Sequence, residues 1–230
     1  MRILRFLYTI FLDSIFPLSK AEKVIFALPP EKAYLDFPRA PRSPVQNTHS
    51  VFAYKDECVT KLIWNIKYKK VSHSIAIGGY ALYQELKNSA VNAGKSHGDF
   101  PLIVIPMPIT QRRRNERGFN QCELLTDEIG RLDTKHLFSI RTDMLERVHH
   151  TSRQTLKDRE ERLESAKGVF EMNEKMLEKL KDSGWKEGSL KNTMVVMVDD
   201  VITTGSTMQE AMETIRKAGF KNVFGLSLAH

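Results

Sequence analysis

The sequence predicts an α/β protein: an open, mostly parallel sheet flanked by helices, preceded by an irregular N-terminal arm. Three observations carry this expectation. Two short apolar runs, "PLIVIP" and "MVVMV", read as buried strands, and each is followed by a polar loop and then a helical pattern. The last 37 residues read strand, helix, strand, the spacing of a parallel crossover unit. At 230 residues with 41% apolar and 27% charged side chains, the chain suits one sizeable core and excludes wholesale disorder.

Along the chain, Ile3, Phe6, Leu7, Ile10 and Phe11 fall at helical spacing and predict an amphipathic helix, too short an apolar run for the roughly 20 residues of a spanning helix. Asp13 interrupts that run and no small-residue cleavage pattern follows, which argues against a signal peptide. Six of the nine prolines lie between Pro17 and Pro44, so this stretch reads as an irregular arm that wraps or dangles. We accordingly divide the chain into residues 1–50, an amphipathic helix and proline-rich arm, and residues 51–230, the α/β domain.

Val59, Leu62, Ile63 and Ile66 mark a short helix ending near "IKYKK", and a second is expected from about Ser74 to Val91, weakened by Gly78-Gly79. The strand "PLIVIP" ends at Pro106, since proline cannot donate to an interior ladder. "ITQRRRNERGFNQ" then reads as a basic loop, before a helix from about Phe119 to Leu132. Residues 141–167 mix seven basic with six acidic residues and read as a solvated excursion. "GVFEM" suits a short strand, Asn173 to Lys181 a helix, and "DSGWKEGSLKN" a loop. Met194 to Val198 is the central strand. Met208, Ala211, Met212 and Ile215 form the stripe of the next helix, with Gly219 where a terminating glycine belongs, and "NVFGLSLAH" closes the sheet.

The stretch "VVMVDDVITTGST" concentrates the chemistry. Ligands of open parallel sheets bind beyond the carboxyl ends of the strands, where Asp199, Asp200 and the following loop fall. The loop enters a helix N-terminus, whose free N–H groups and positive dipole end suit a phosphate. Gly205 permits close approach, and Thr203, Thr204, Ser206 and Thr207 add hydroxyls. Adjacent carboxylates suit vicinal hydroxyls or a hydrated cation. Strand alternation lets both acids face one ligand only if the chain is leaving the sheet at Asp199. The set describes a cradle for a sugar phosphate with two free hydroxyls. No GxxxxGK[ST] pattern occurs, which disfavours a P-loop nucleotidase.

"VVMVDDVITTGST" resembles the phosphoribosyl pyrophosphate (PRPP) motif of type I phosphoribosyltransferases. With "VIPMPITQRRRNERGFNQ" and "RQTLKDREERLESAKGVF" before it, the region from about Tyr54 to His230 resembles the competence-protein ComF family. The resemblance implies a type I phosphoribosyltransferase-like fold, with Asp199 and Asp200 on the ribose hydroxyls and Thr203, Thr204, Gly205, Ser206 and Thr207 around the 5′-phosphate. It places Met107, Pro108 and Arg113 on the pyrophosphate side and Gln154 and Arg159 in a mobile covering loop. Arg114 and Arg117 join the two acids as expected catalytic residues, and Lys67 is a weaker candidate.

Magnesium is the expected cofactor, held in part through Asp199 and Asp200. The four-cysteine zinc module common in the family has no counterpart, because only Cys58 and Cys122 occur, without paired spacing, and no zinc is expected. The formal charge of +7 suits phosphate ligands or nucleic acid. Expected partners are therefore PRPP or a related ribose 5-phosphate, with single-stranded DNA, DNA-uptake proteins and a homodimer as further options; the expected compartment is the cytoplasm. The function expected is phosphoribosyl transfer to a nitrogen nucleophile, and the alternative is a non-catalytic protein of DNA uptake on the same fold. No aromatic interleaving for base stacking is visible in the sequence apart from Phe119.

Overall fold

The structure, a computed structural model, describes residues 18–92, 102–148, 168–182 and 189–230. The expected stripe from Ile3 to Phe11, and Gln154 and Arg159, lie outside these described residues.

Five strands form the main sheet: β1 (Thr48–Phe52), β2 (Leu102–Pro106), β3 (Phe138–Ile140), β6 (Met194–Val201) and β7 (Asn222–Ala229). Their order is β1-β7-β6-β2-β3 and every pairing is parallel. Alternation along the central strands buries both faces. Val196 and Val198 of β6 join Val104 of β2 and Leu226 and Leu228 of β7 in one core, while Val195, Met197, Ile103, Ile105 and Val223 face the other.

The first face is covered by α3 (Glu57–Trp64), which runs on as a π-helical turn from Asn65 to Lys69, by α4 (Ser72–Asn92) and by α6 (Gln121–Leu132). Gly78 and Gly79 of α4 have a packing reason. A Cβ at Gly78 would come within 2.8 Å of Leu125 of α6, and one at Gly79 would collide with Glu128, so the pair lets the two helices approach. The opposite face is covered by α9 (Ser206–Lys217) and by the antiparallel pair β4 (Leu145–Arg147) and β5 (Phe170–Met172). Glu210 of α9 fastens β5, accepting from the backbone N–H groups of Gly168 and Val169 at 3.2 and 2.8 Å. Two further helices are α7 (Glu174–Asp182) and the short α8 (Ser189–Asn192), the latter within the segment expected to be loop.

Three expectations need correction. The proline-rich arm contains two helices, α1 (Lys20–Ala27) and α2 (Pro30–Asp36), and is irregular after them. Ser19 and Glu22 close a reciprocal capping box on α1, and Pro30 opens α2, where a missing N–H costs nothing. Glu22 is buried and meets Lys61 and Lys69 at 3.4 and 3.2 Å, while Tyr34 donates to Glu85 of α4 at 2.9 Å. Thus the arm wraps rather than dangles. Second, the basic loop is partly helical: α5 (Gln111–Arg117) is capped by Thr110 and buries no residue, so it lacks the apolar stripe that reveals a helix. Third, the excursion after residue 141 begins with β4, where Leu145 is buried, as is Met144 just before it.

Candidate functional site

A cavity of about 310 Å³ opens at the carboxyl ends of β2 and β6. It lies within the size range of small-ligand sites. Its lining brings together Met107, Pro108, Arg113, Asp199, Asp200, Thr203, Thr204, Gly205, Ser206 and Thr207, residues from two separate stretches of chain. Tyr54, Lys67, Gln121 and Arg147 complete much of the wall.

The loop after β6 turns at Gly205, whose φ of +80° is the left-handed conformation that glycine adopts without strain. Gly205 is the N-cap of α9, so no side chain caps that helix and its first N–H groups remain available to an anion. Thr203, Thr204 and Ser206 are exposed around this turn, and the Thr204 and Ser206 hydroxyls lie 3.2 Å apart. A Cβ at Gly205 would collide with Val45 of the arm, so the arm is packed directly on the loop.

The acids stay in the sheet. Asp199 pairs with Ser227 and Val201 with Ala229, so the chain does not leave the ladder at Asp199 as expected. Alternation instead gives each acid its own surroundings at the strand end, and both border the cavity. Asp200 is buried; its Oδ1 accepts from Gln121 Nε2 at 3.2 Å and its Oδ2 lies 3.1 Å from Lys67 Nζ. Asp199 Oδ1 accepts from the Asp200 N–H at 2.8 Å and from the Cys122 thiol at 3.4 Å. Burial, and then the charge of Asp200 beside it, raises the pKa of Asp199. One of the two carboxyls is therefore the better proton holder. Burial, reinforced by the two acids, also pushes the Cys122 thiol well up, so it is a neutral packing group rather than a nucleophile.

Across the cavity stand two guanidinium groups. Arg113 and Arg147 both line it; burial, and then the charge of Arg113, lowers the pKa of Arg147. Two cations on one cavity wall suit a multiply charged anion. Arg114 and Arg117 do not line the cavity. Arg114 makes a two-pronged pair with Glu123, and Arg117 donates to Gln121 Oε1 at 3.0 Å, reaching Asp200 only through that side chain.

Cys122 Sγ and one oxygen of each acid lie within 4.8 Å of one another. As a magnesium site this set fits only in part: a neutral thiol is no ligand for a hard cation, and Asp200 is already engaged by Lys67 and Gln121. Of the two acids, Asp199 is the one without a lysine partner, so it would be the protein ligand if such an ion bound here.

Comparison with known proteins agrees with this geometry. Residues 146–226 match the phosphoribosyl transferase domain family. Competence protein F of Haemophilus influenzae is 33% identical over 132 residues, covering 56% of this chain and 51% of that one. Competence protein ComFC of Bacillus subtilis is 26% identical over 125 residues, 54% and 42% of the two chains. These matches support the ComF family and a phosphoribosyltransferase-like fold. The DNA utilization protein YhgH of Shigella flexneri, a further relative, is 26% identical over 166 residues, 72% of this chain and 64% of that protein. The chain spans about half the length of the first curated relatives it matches. No helix among the described residues is long and apolar enough to cross a membrane.

Sequence reasoning missed Gln121 and Tyr54 as lining residues and undervalued Lys67. The order of elements could not show that the end of the α3 segment and the start of α6 converge on β6. Arg147 reaches the cavity because β4 pairs with β5 against α9, a non-local event that composition conceals.

Proposed function

We propose that this chain binds PRPP in the cavity between β6 and α9 and transfers its phosphoribosyl group to a nitrogen nucleophile. The observation that carries the reading is the sharing of one cavity by an uncapped helix N-terminus, two acids and two guanidinium groups. The N-terminus of α9, with Thr203 to Thr207, holds the 5′-phosphate. Asp199 and Asp200 accept from the two ribose hydroxyls, with Lys67 and Gln121 holding the Asp200 carboxylate in place. Arg113 and Arg147 stabilise the charge that develops on the departing pyrophosphate.

In the reaction the lone pair of the acceptor nitrogen forms the bond to C1′ as the C1′–O bond breaks. The bonding pair leaves with pyrophosphate, and the nitrogen afterwards loses its proton. Bound magnesium would neutralise charge on the pyrophosphate oxygens, with Asp199 as its protein ligand. Positioning of C1′ between the acids and the arginines supplies the remainder of the catalysis.

Titration calorimetry with PRPP, with and without magnesium, tests the reading. Saturable binding to the parent chain, lost in the double variant Asp199→Asn, Asp200→Asn, is expected; absence of binding to the parent chain in both conditions rejects it.

A second reading, binding of single-stranded DNA in a DNA-uptake role, has its own observation. Trp64 and Tyr68 are exposed on one ledge, their rings 5.8 Å apart. Lys61 and Lys69 lie 4.5 and 4.8 Å from the Trp64 ring centre, Arg117 5.2 Å from that of Tyr68, and Lys70 5.7 Å from that of Phe119. Alternating rings and cations suit stacked bases and their phosphates, an interleaving that the sequence alone did not display. The names of the relatives, competence and DNA utilization proteins, point the same way. Fluorescence anisotropy with a labelled oligonucleotide at low salt tests it. Binding that weakens in Trp64→Ala with Tyr68→Ala is expected, and no binding to the parent chain sinks this reading.

A further inference from the structure

The block Arg117-Gly118-Phe119-Asn120-Gln121 joins the end of α5 to the start of α6, and of its side chains only Gln121 lines the cavity. Yet Asn120 is 1% exposed and Gln121 3%, unusual burial for two neighbouring amides. Buried amides have to spend their donors and acceptors inside the protein, and the partners they have found say what they are for.

Asn120 faces in two directions. Its Oδ1 accepts from the Cys122 N–H at 2.9 Å, capping α6, and its Nδ2 donates to the Met107 carbonyl at 3.0 Å. The Met107 N–H in turn donates to the Val198 carbonyl at 2.8 Å. The first residue beyond β2 is thus gripped on one side by β6 and on the other by Asn120. Gln121 completes a second grip. Its Oε1 accepts from Arg117, which commits its Nε2 to the donor role, and Nε2 donates to Asp200 Oδ1 at 3.2 Å. Two consecutive residues at one helix start therefore hold the loop after β2 and the acid at the end of β6.

We infer that Asn120 and Gln121 are positioning residues which fix the pyrophosphate side of the cavity relative to its ribose side, through one rigid helix start. The inference rests on the PRPP reading. Pro106 pairs with Val198 in adjacent strands, so the sheet sets the spacing of the strand ends, but it does not set the direction in which the Met107 carbonyl or the Asp200 carboxylate points. The two amides do. Arg117 acts one step further out, by orienting Gln121.

A capping role alone is separable from this. In Asn120→Asp the side chain still accepts from the Cys122 N–H, so α6 keeps its cap, but a carboxylate cannot donate to the Met107 carbonyl. Gln121→Met keeps the volume and removes both of its bonds. Arg117→Met changes a part-exposed residue and serves as the variant least able to disturb folding. Affinities for inorganic pyrophosphate and for ribose 5-phosphate, each with magnesium, are measured separately by calorimetry on the full chain. Asn120→Asp is expected to weaken pyrophosphate about tenfold and ribose 5-phosphate less than about threefold, the scale of one lost hydrogen bond. Gln121→Met and Arg117→Met are expected to show the reverse split. Equal weakening of both ligands in every folded variant, or no weakening in any, overturns the inference. A parent chain that binds neither ligand fails earlier, at the PRPP reading itself, and takes this inference with it.

Discussion

Lys67 and Asp200 face one another at the floor of the cavity, Nζ to Oδ2 3.1 Å, from elements 133 residues apart in the chain. The pair is largely withdrawn from water, with side-chain exposures of 25% and 5%. Removing the cation strands a buried carboxylate. Lys67→Met is therefore expected to lower unfolding stability by about 2 kcal/mol at pH 8, allowing for the partial exposure of the lysine. Urea denaturation of parent and variant checks it, and equal midpoints would show that the pair contributes nothing.

Asp199 gives stability a slope with pH. Its pKa in the folded chain is raised by burial and by Asp200, so the folded state holds the proton more tightly than the unfolded state does. That contribution is complete below the ordinary carboxylate range and is lost as pH rises through the raised value. Asp199→Asn should flatten the slope and leave the variant about 1–2 kcal/mol more stable than the parent at alkaline pH, while abolishing PRPP binding. Melting temperatures across pH 5 to about 9 provide the comparison.

Ligand binding should move the same proton. Magnesium and PRPP beside Asp199 favour its charged form, so binding near neutral pH is expected to release a fraction of a proton. Calorimetry in buffers of different ionisation enthalpy reads this directly; heats independent of the buffer would exclude it.

Gly205→Ala tests the cradle. The left-handed backbone and the contact with Val45 both resist a methyl group, so a loss of about 1–3 kcal/mol in stability is expected together with weaker ribose 5-phosphate binding. A variant with parent-like affinity would mean that the turn tolerates displacement.

Glu85 fastens the arm. It accepts from Tyr34 at 2.9 Å and meets Arg39 and His49 at 3.4 and 3.5 Å. The neighbouring His49 ring, with Tyr34 and Arg39, lowers its pKa against the opposing effect of burial. The stability this supplies is present above the unfolded value of 4.5 and lost as pH falls through the folded one. Glu85→Gln should cost about 1 kcal/mol at pH 7 and progressively less below pH ~4, a difference readable in chemical denaturation.

Much of the fold was legible, and the reasons are local. The run Met194 to Val198 has no polar residue, and the stripe Met208, Ala211, Met212, Ile215 has helical period, so β6 and α9 are visible at sight. The acids and hydroxyls between them mark the cradle because they are contiguous. The remainder depends on distance or on weak pattern. α5 has no buried face, and α1 and α2 are short and bounded by prolines, although Ser19 and Glu22 at capping-box spacing were there to be read. Lys67, Gln121 and Arg147 enter the site from segments brought together only by packing, and no periodicity encodes that meeting.

Val45 rests on Gly205, and this has a bearing on where the binding unit begins. A fragment cut at residue 50, ahead of the α/β domain as the sequence divides it, would retain every acid, hydroxyl and arginine of the cavity, yet the turn at Gly205 would have bare solvent where the arm now sits. The seal on the most recognisable motif in the chain is a single branched side chain about 160 residues upstream of it, in a stretch that carries no motif at all.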